Sequence, residues 1–99
     1  MTIRKILWDK LAALYFLKTI NYIQKDSPQN ALLVKSTILS AIDKLPAHTE
    51  KHAPDKYKLN NMGNYRAFEL HRLRIAYLVK ENVIIIARVR HTRQEPLKY

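Results

Sequence analysis

The 99-residue chain contains no cysteine, a single glycine and no apolar run long enough to cross a membrane. The absence of cysteine excludes a disulfide framework and a thiolate zinc site, and it suits a reducing compartment. No apolar window approaches the roughly 18 residues that a transmembrane helix needs, and no signal-like segment precedes the first amphipathic stretch. With 47% apolar residues, the composition is typical of one globular domain over residues 1–99. We therefore predict a single cytoplasmic domain without a membrane segment.

Acidic residues are scarce, because eight Asp and Glu stand against eighteen Lys and Arg for a net charge of +10. Residues 1–50 carry +3 (seven basic, four acidic), whereas residues 51–99 carry +7 (eleven basic, four acidic). Six of the seven arginines follow Tyr65. This balance predicts an anionic partner, whether nucleic acid, an acidic protein or a lipid surface. A basic surface that serves only solubility is the plainer alternative, but the clustering of arginine favours a site.

Two amphipathic helices are predicted in the first half of the chain. Asp9 suits the N-cap of a helix over residues 10–25. Ser27 suits the N-cap of a second helix that begins at Pro28 and ends before Pro46. The short turn between the helices predicts an antiparallel hairpin. The apolar stripes predict the residues that face the core: Ala12, Phe16, Ile20 and Ile23 in the first helix, and Ala31, Val34, Ile38, Ala41, Ile42 and Leu45 in the second.

Strands are predicted at both ends of the chain. A short edge strand over residues 2–7 precedes the helices, and a loop over residues 46–64 follows them. The remaining strands, over residues 65–70, 72–80 and 83–90, form an antiparallel meander with a tight turn at Glu81-Asn82, where asparagine tolerates a positive φ. The predicted fold is thus α+β, with an N-terminal strand and a helix hairpin packed on a three- to four-stranded antiparallel sheet.

Alternation along the meander predicts a cationic patch. Strict alternation places Val83, Ile85, Ala87 and Val89 on one face of the last strand, and Ile84, Ile86, Arg88 and Arg90 on the other. The patch would then combine four arginines from three neighbouring strands: Arg66, Arg74, Arg88 and Arg90. Like charges repel one another, so a sheet that gathers them is expected to receive an anion or a carboxylate.

Two further features have both a functional and a plain interpretation. Leu14 and Leu17 lie outside the apolar stripe of the first helix, so they are either a docking surface or ordinary exposed leucines.

His48 and His52 have an i, i+4 spacing in the predicted loop, but no third ligand accompanies them. We therefore predict solvated loop histidines, with no metal site and no cofactor.

In chain order these features resemble the RelE/ParE superfamily of toxins from type II toxin-antitoxin modules. The motifs that carry the resemblance span the chain: Asp26-Ser27-Pro28 with Asn30-Ala31, Tyr65-Arg66, Arg74-Ile75-Ala76-Tyr77, and Arg88-Val89-Arg90-His91-Thr92-Arg93. The resemblance implies a toxin that arrests growth and is held inactive by a cognate acidic antitoxin. The expected apolar contacts with that antitoxin are Leu14, Leu17, Leu32 and Leu39.

The superfamily contains two activities, and a shared fold does not choose between them. RelE-type members cut messenger RNA inside the ribosome, whereas ParE-type members poison DNA gyrase without being enzymes. Messenger RNA cleavage requires a proton acceptor, a proton donor and cations that stabilise the phosphorane. The candidates implied by the resemblance are His91, Arg74, Arg88, Arg93 and Tyr99, with Tyr77 and His71 as further possibilities. For His91, a strand-end histidine bonded to a backbone carbonyl is an equal alternative.

The two ends of the meander favour the ParE-type activity. RelE has two alternating lysines on the first meander strand, and the matching positions hold Arg66 and Phe68, which are poor general bases. The ParE tail matches Arg88, His91, Arg93, Glu95 and Pro96 in order. We therefore expect gyrase as the target and ribosome-dependent mRNA cleavage as the alternative, and a nucleic-acid-binding module without toxicity ranks last. The expected target-binding residues are Arg66, Arg74, Arg88, Arg90, His91 and Arg93.

Overall fold

The computed structural model describes residues 4–94 and 97–99, in which two helices pack on one face of a four-stranded mixed sheet. The strands are β1 (Lys5–Trp8), β2 (Tyr65–Leu70), β3 (Leu73–Val79) and β4 (Val83–His91). The helices are α1 (Lys10–Asp26) and α2 (Pro28–Asp43), followed by a short 3-10 turn (Leu45–Ala47). The predicted α+β class is confirmed. Neither helix combines the length and apolarity that crossing a bilayer requires, among the residues described.

The helix hairpin forms where the capping residues predict it. The Asp9 carboxylate accepts hydrogen bonds from the Leu11 and Ala12 amides at 3.0 and 3.3 Å, which satisfies two free donors of the first turn. The Ser27 hydroxyl accepts from the Asn30 amide at 3.1 Å. Ser27 also separates α1 from α2 as a single residue, so the turn is even shorter than predicted.

The core lies between the hairpin and the sheet. Both predicted helical stripes contribute to it, although Ile23 and Ala41 are only half-buried. The side chains below 2% exposure are Tyr77, Ile38, Ile42, Leu45, Leu73, Ile75, Ile84 and Ile86. The opposite face of the sheet is therefore the one available to other groups.

The sheet has the order β1-β4-β3-β2, and its N-terminal strand differs from the prediction. β1 pairs parallel with β4, with Lys5 opposite Val83 and Trp8 opposite Ile86. The sheet is therefore mixed and not wholly antiparallel, because the helix hairpin returns the chain before the meander begins. The described strand begins at Lys5 and ends at Trp8, and positions 2 and 3 of the predicted strand lie outside the described residues.

A β-bulge at Ala87 divides β4, so that the predicted faces are reversed before the bulge and kept after it. Tyr77 pairs with Ile86 and its neighbour Ala76 pairs with Arg88, so Ala87 is an extra residue on β4. The bulge lets Ile84 and Ile86 face the core while Arg88 faces away from it. The strict alternation predicted for this strand is wrong. The bulge is what separates the core-forming half of β4 from its cationic half.

The hairpin turns also differ from the prediction. His71 and Arg72 have φ of 50° and 64°, so two left-handed residues join β2 to β3 as in a type I′ hairpin. Between β3 and β4 the Lys80 amide donates to the Val83 carbonyl at 2.9 Å, which confirms a tight connection. Asn82 does not have a positive φ, so that part of the prediction is wrong.

Candidate functional site

A cationic pocket lies on the sheet face opposite the helices. We define it by Arg74 on β3 and by Arg88, Arg90 and His91 on β4, together with a wall from the loop before β2 and the end of the chain. Arg74 and Arg90 are direct partners in the β3–β4 register. The cavity has a volume of about 50 Å³ and is further lined by Asp55, Tyr57, Glu69, Ala76, Thr92, Gln94, Leu97 and Tyr99. This volume is far below the roughly 300–1,000 Å³ of small-molecule sites, so the pocket suits one small polar group.

Asp55 is a buried carboxylate that lines this pocket, and it was not among the site residues predicted from the sequence. Its side chain is 1% exposed. It accepts from Arg74 at 2.8 Å, from the Tyr99 hydroxyl at 2.6 Å and from the Tyr57 amide at 3.1 Å. Burial alone would raise the pKa of Asp55, but these hydrogen bonds and the Arg74 charge hold it below its usual value. Asp55 is therefore an ionised anchor rather than a proton donor.

Two carboxylates and one aromatic ring contact the Arg74 guanidinium. Besides Asp55, it donates to Glu69 at 2.9 Å, and its guanidinium lies 4.7 Å from the centre of the Tyr57 ring. Burial alone would lower the pKa of Arg74, but the two carboxylates raise it. Its buried Nε has no acceptor among the described residues. Arg74 is thus neutralised locally while it retains one donor that lacks a partner.

The last residues of the chain form the wall of the pocket beside Arg88. The Tyr99 amide donates to the Tyr57 carbonyl at 2.9 Å, and the Arg88 guanidinium lies 4.5 Å from the centre of the Tyr99 ring. Arg88 also donates to the Leu97 carbonyl at 3.0 Å. Burial and its bond to Asp55 raise the pKa of the Tyr99 phenol. Tyr99 therefore orients Arg88 with its ring and Asp55 with its hydroxyl.

His91 ends β4 and organises the turn after it. Its Nδ1 accepts from the Arg93 amide at 3.0 Å, which leaves Nε2 as the remaining ring nitrogen. His91 thus lies at the end of its strand as in the structural alternative, but its backbone partner is an amide and not the expected carbonyl. Arg93 lies in the exposed turn, and Glu95 and Pro96 of the predicted tail match lie outside the described residues.

Three sequence-predicted site residues lie elsewhere. Arg66 pairs with Tyr77, whose side chain faces the core, so Arg66 does not join the cationic pocket and the predicted convergence is wrong for it. Its guanidinium donates to the His52 carbonyl at 2.6 Å. Tyr77 is fully buried and donates to the Thr49 carbonyl at 3.0 Å, so it cannot stack on a base. His71 lies in the hairpin turn, as predicted.

The helix hairpin exposes more leucine than a single buried stripe requires. Leu14, Leu17 and Leu32 are 44%, 51% and 68% exposed, and the antitoxin contact predicted for them requires exposed side chains. Leu39 is half-buried and packs on the core, so it offers less surface than the other three leucines to the predicted antitoxin contact. We call the exposed set the leucine surface; it also includes two residues that sequence reasoning missed, Leu11 and Leu33.

His48 is exposed as predicted, whereas His52 is half-buried and is not the solvated loop histidine that the sequence predicted. His52 stacks on Phe68 with ring centres 4.6 Å apart, and burial with the neighbouring Lys51 charge lowers its pKa. In residues 4–94 and 97–99, no three His, Cys, Asp or Glu side chains are grouped to hold a metal ion.

Comparison with known proteins defines the class of the fold. A solved structure described as the chromosomal ParDE TA system from P. aeruginosa contains a similar chain, with a TM-score of 0.71 and 17% identity. The similarity covers 92% of this chain and 98% of that one. At this identity the likeness shows a shared fold. No curated protein gives a significant match.

The family follows from the sequence itself. The ParE toxin family of type II toxin-antitoxin systems (parDE) matches residues 6–96. The chain belongs to this family and is the toxin component of a type II toxin-antitoxin module, with an antitoxin as its partner.

Proposed function

We propose that this toxin arrests growth by binding DNA gyrase through the cationic pocket, without being an enzyme. The observation that carries the proposal is that the acid-base groups of the pocket are engaged in holding its structure. Asp55 is an ionised anchor for Arg74 and Tyr99, and Tyr99 donates its hydroxyl to Asp55. What is left for a partner is positive charge on a rigid strand, which is a property of a binding surface.

RNA cleavage, the second candidate, is less well supported by the same geometry. A general base needs a pKa near the working pH and a free lone pair directed at the substrate. The raised pKa of Tyr99 makes it a poor proton donor at neutral pH, and Nδ1 of His91 already accepts from a backbone amide. Arg74 and Arg88 could stabilise charge, but they cannot accept a proton. The pocket therefore lacks a well-prepared acid-base pair among the described residues.

The cations of the pocket suit an acidic partner. Arg74 is matched by Asp55 and Glu69, so the surplus positive charge belongs to Arg88 and Arg90. Burial and the nearby Arg90 charge lower the pKa of Arg88, and an incoming anion would relieve the repulsion between the two arginines. A carboxylate or phosphate group of a partner would neutralise the surplus charge of Arg88 and Arg90.

Purified protein is expected to trap cleaved plasmid DNA when it is added to gyrase, and to leave messenger RNA intact in a translating extract. Both measurements should be made at concentrations that arrest growth. Cleavage of messenger RNA in the extract with no effect on gyrase would reverse the proposal in favour of the RelE-type activity. Intact DNA and intact message at those concentrations would contradict both activities.

We further propose that the antitoxin covers the leucine surface with a segment that is both acidic and apolar, in the cytoplasm where both partners act. Each exposed leucine that becomes buried contributes up to about 1.5–3 kcal/mol to binding. The net charge of +10 adds long-range attraction for an acidic segment. A helix or extended chain with apolar residues at regular spacing would fit this surface.

Replacing Leu14 and Leu17 together by serine is expected to weaken antitoxin binding by at least roughly tenfold, because two apolar contacts are lost. Calorimetric titration with the cognate antitoxin measures the change. Met62→Ser is the matched control, since Met62 is 93% exposed and lies in the loop before β2. Equal affinity of the double variant and this control would contradict the assignment.

A further inference from the structure

Among the residues described, the outer edge of β4 has no neighbouring strand at its cationic end. β1 pairs with β4 only from Val83 to Ile86, so the strand continues for five residues without that neighbour. A strand edge presents backbone donors and acceptors that need partners. α1 packs against β4, and Tyr15 of α1 supplies one such partner. Its hydroxyl accepts from the backbone amide of His91 at 3.2 Å.

The same hydroxyl reaches the turn that follows β4. Tyr15 donates to the Gln94 side-chain carbonyl at 3.0 Å, so a single hydroxyl joins the first and last residues of the turn. The other amides of the turn find their partners nearby. Thr92 donates to the Arg72 carbonyl at 2.8 Å, and Gln94 donates to the His91 carbonyl at 3.0 Å. Tyr15 is thus the side chain by which α1 holds the turn.

We propose that Tyr15 is a positioning residue for the His91–Gln94 turn, and that toxin action depends on its hydroxyl although Tyr15 lies outside the cationic pocket. The functional half of this inference rests on the proposed function, in which this turn faces the target. The phenol ring packs against the core, so the ring is fixed and its hydroxyl has a defined place. Its hydrogen bonds hold both ends of the turn, at His91 and Gln94, which also line the cationic pocket.

A Tyr15→Phe variant keeps the ring and removes only the hydroxyl, so the fold is retained. The His91 amide and the Gln94 carbonyl then lose their protein partner. We expect the protein concentration that gives half-maximal gyrase inhibition to rise roughly tenfold, the ratio that corresponds to the loss of one well-formed hydrogen bond of a partly buried group. The matched control is Tyr22→Phe on the same helix, because Tyr22 is 71% exposed and its hydroxyl makes no hydrogen bond within the described residues.

Amide hydrogen exchange measures the structural effect of Tyr15→Phe without the target. In Tyr15→Phe the exchange of His91 should accelerate, whereas the core amides Ile84 and Ile86 of the same strand should keep the wild-type rate. Uniform acceleration along β4 would show a global loss of stability and overturn the positioning role. An unchanged His91 rate would overturn it as well.

The two readings separate this inference from the proposed function. If wild-type protein fails to inhibit gyrase, the proposed function fails, and the exchange of His91 still decides whether Tyr15 holds the turn. If wild-type protein inhibits gyrase and Tyr15→Phe inhibits equally well, the dependence of toxin action on the Tyr15 hydroxyl is overturned while the proposed function stands. Inhibition that weakens in Tyr15→Phe but not in Tyr22→Phe, together with faster exchange confined to the turn, supports the inference.

Discussion

Replacing Asp55 by asparagine is expected to lower the free energy of unfolding by about 2–4 kcal/mol, because Asp55 is the buried charge of the part of the chain that the structure describes. The carboxylate is 1% exposed and accepts from three groups at once. Asparagine keeps the shape, but its amide nitrogen cannot accept from Tyr99 or Arg74. Glu69 remains beside Arg74, and for this reason we expect less than the full cost of an unpaired buried charge. Urea denaturation measures the difference.

The matched control is Asp43→Asn, which makes the same change of charge at an exposed residue at the end of α2. Its effect should remain within about 0.5 kcal/mol of wild type, as for most surface substitutions. If Asp55→Asn were no less stable than this control, Asp55 would not be the anchor of the pocket.

The Asp55 carboxylate makes the free energy of unfolding of the wild-type protein depend on pH in the acid range. The folded-state pKa of Asp55 lies below its unfolded value, so its stabilising contribution is fully present above the unfolded pKa of about 3.9. The contribution is lost as pH falls through the lower, folded-state pKa. Between neutral pH and this acid range, wild type should therefore lose more stability than Asp55→Asn, and the difference between the two should shrink.

Local signals in the sequence were sufficient for the helical half of the fold. Ser27 and Pro28 define a helix start through contacts within three residues, and the structure shows the cap they predict. The bulge at Ala87 was not predictable in this way, because its place depends on the pairing of β4 with β3 and no glycine marks it. That single extra residue decides whether Arg88 faces the core or the pocket.

The pocket was predicted only in part for a related reason. The strands predicted over residues 65–70 and 72–80 leave a single residue between them, and that spacing would put Arg66 on the face of Arg74. The turn has two residues, His71 and Arg72, and this register places Arg66 on the face of Tyr77. Asp55 lies in a loop without periodicity, 19 residues before its partner Arg74. The available signal was its isolation, since it is the only acidic residue between Glu50 and Glu69.

Arg88 combines the features that make a side chain important at an interface. It is half-buried, and its guanidinium lies on the Tyr99 ring while a hydrogen bond to the Leu97 carbonyl fixes its direction. An arginine held in this way loses little conformational freedom when a partner binds. Arginines and aromatic residues of this kind dominate the energy of many protein interfaces.

Replacing Arg88 by alanine is therefore expected to raise the toxin concentration that half-inhibits gyrase by at least about thirtyfold, which corresponds to the roughly 2 kcal/mol of a dominant interface residue. Lys35→Ala, at an exposed position of α2, lowers the net charge equally and should change inhibition less than about threefold, because long-range attraction depends only weakly on one charge of many. Arg88→Lys keeps the charge but not the planar group over Tyr99, and its half-inhibiting concentration should fall between those of the two alanine variants.

Thermal unfolding of all three variants establishes that they are folded. Equal loss in Arg88→Ala and Lys35→Ala would mean that the total charge governs the interaction and that the pocket has no special part in it. A loss specific to Arg88 would place the contact at the half of β4 that the bulge turns away from the core.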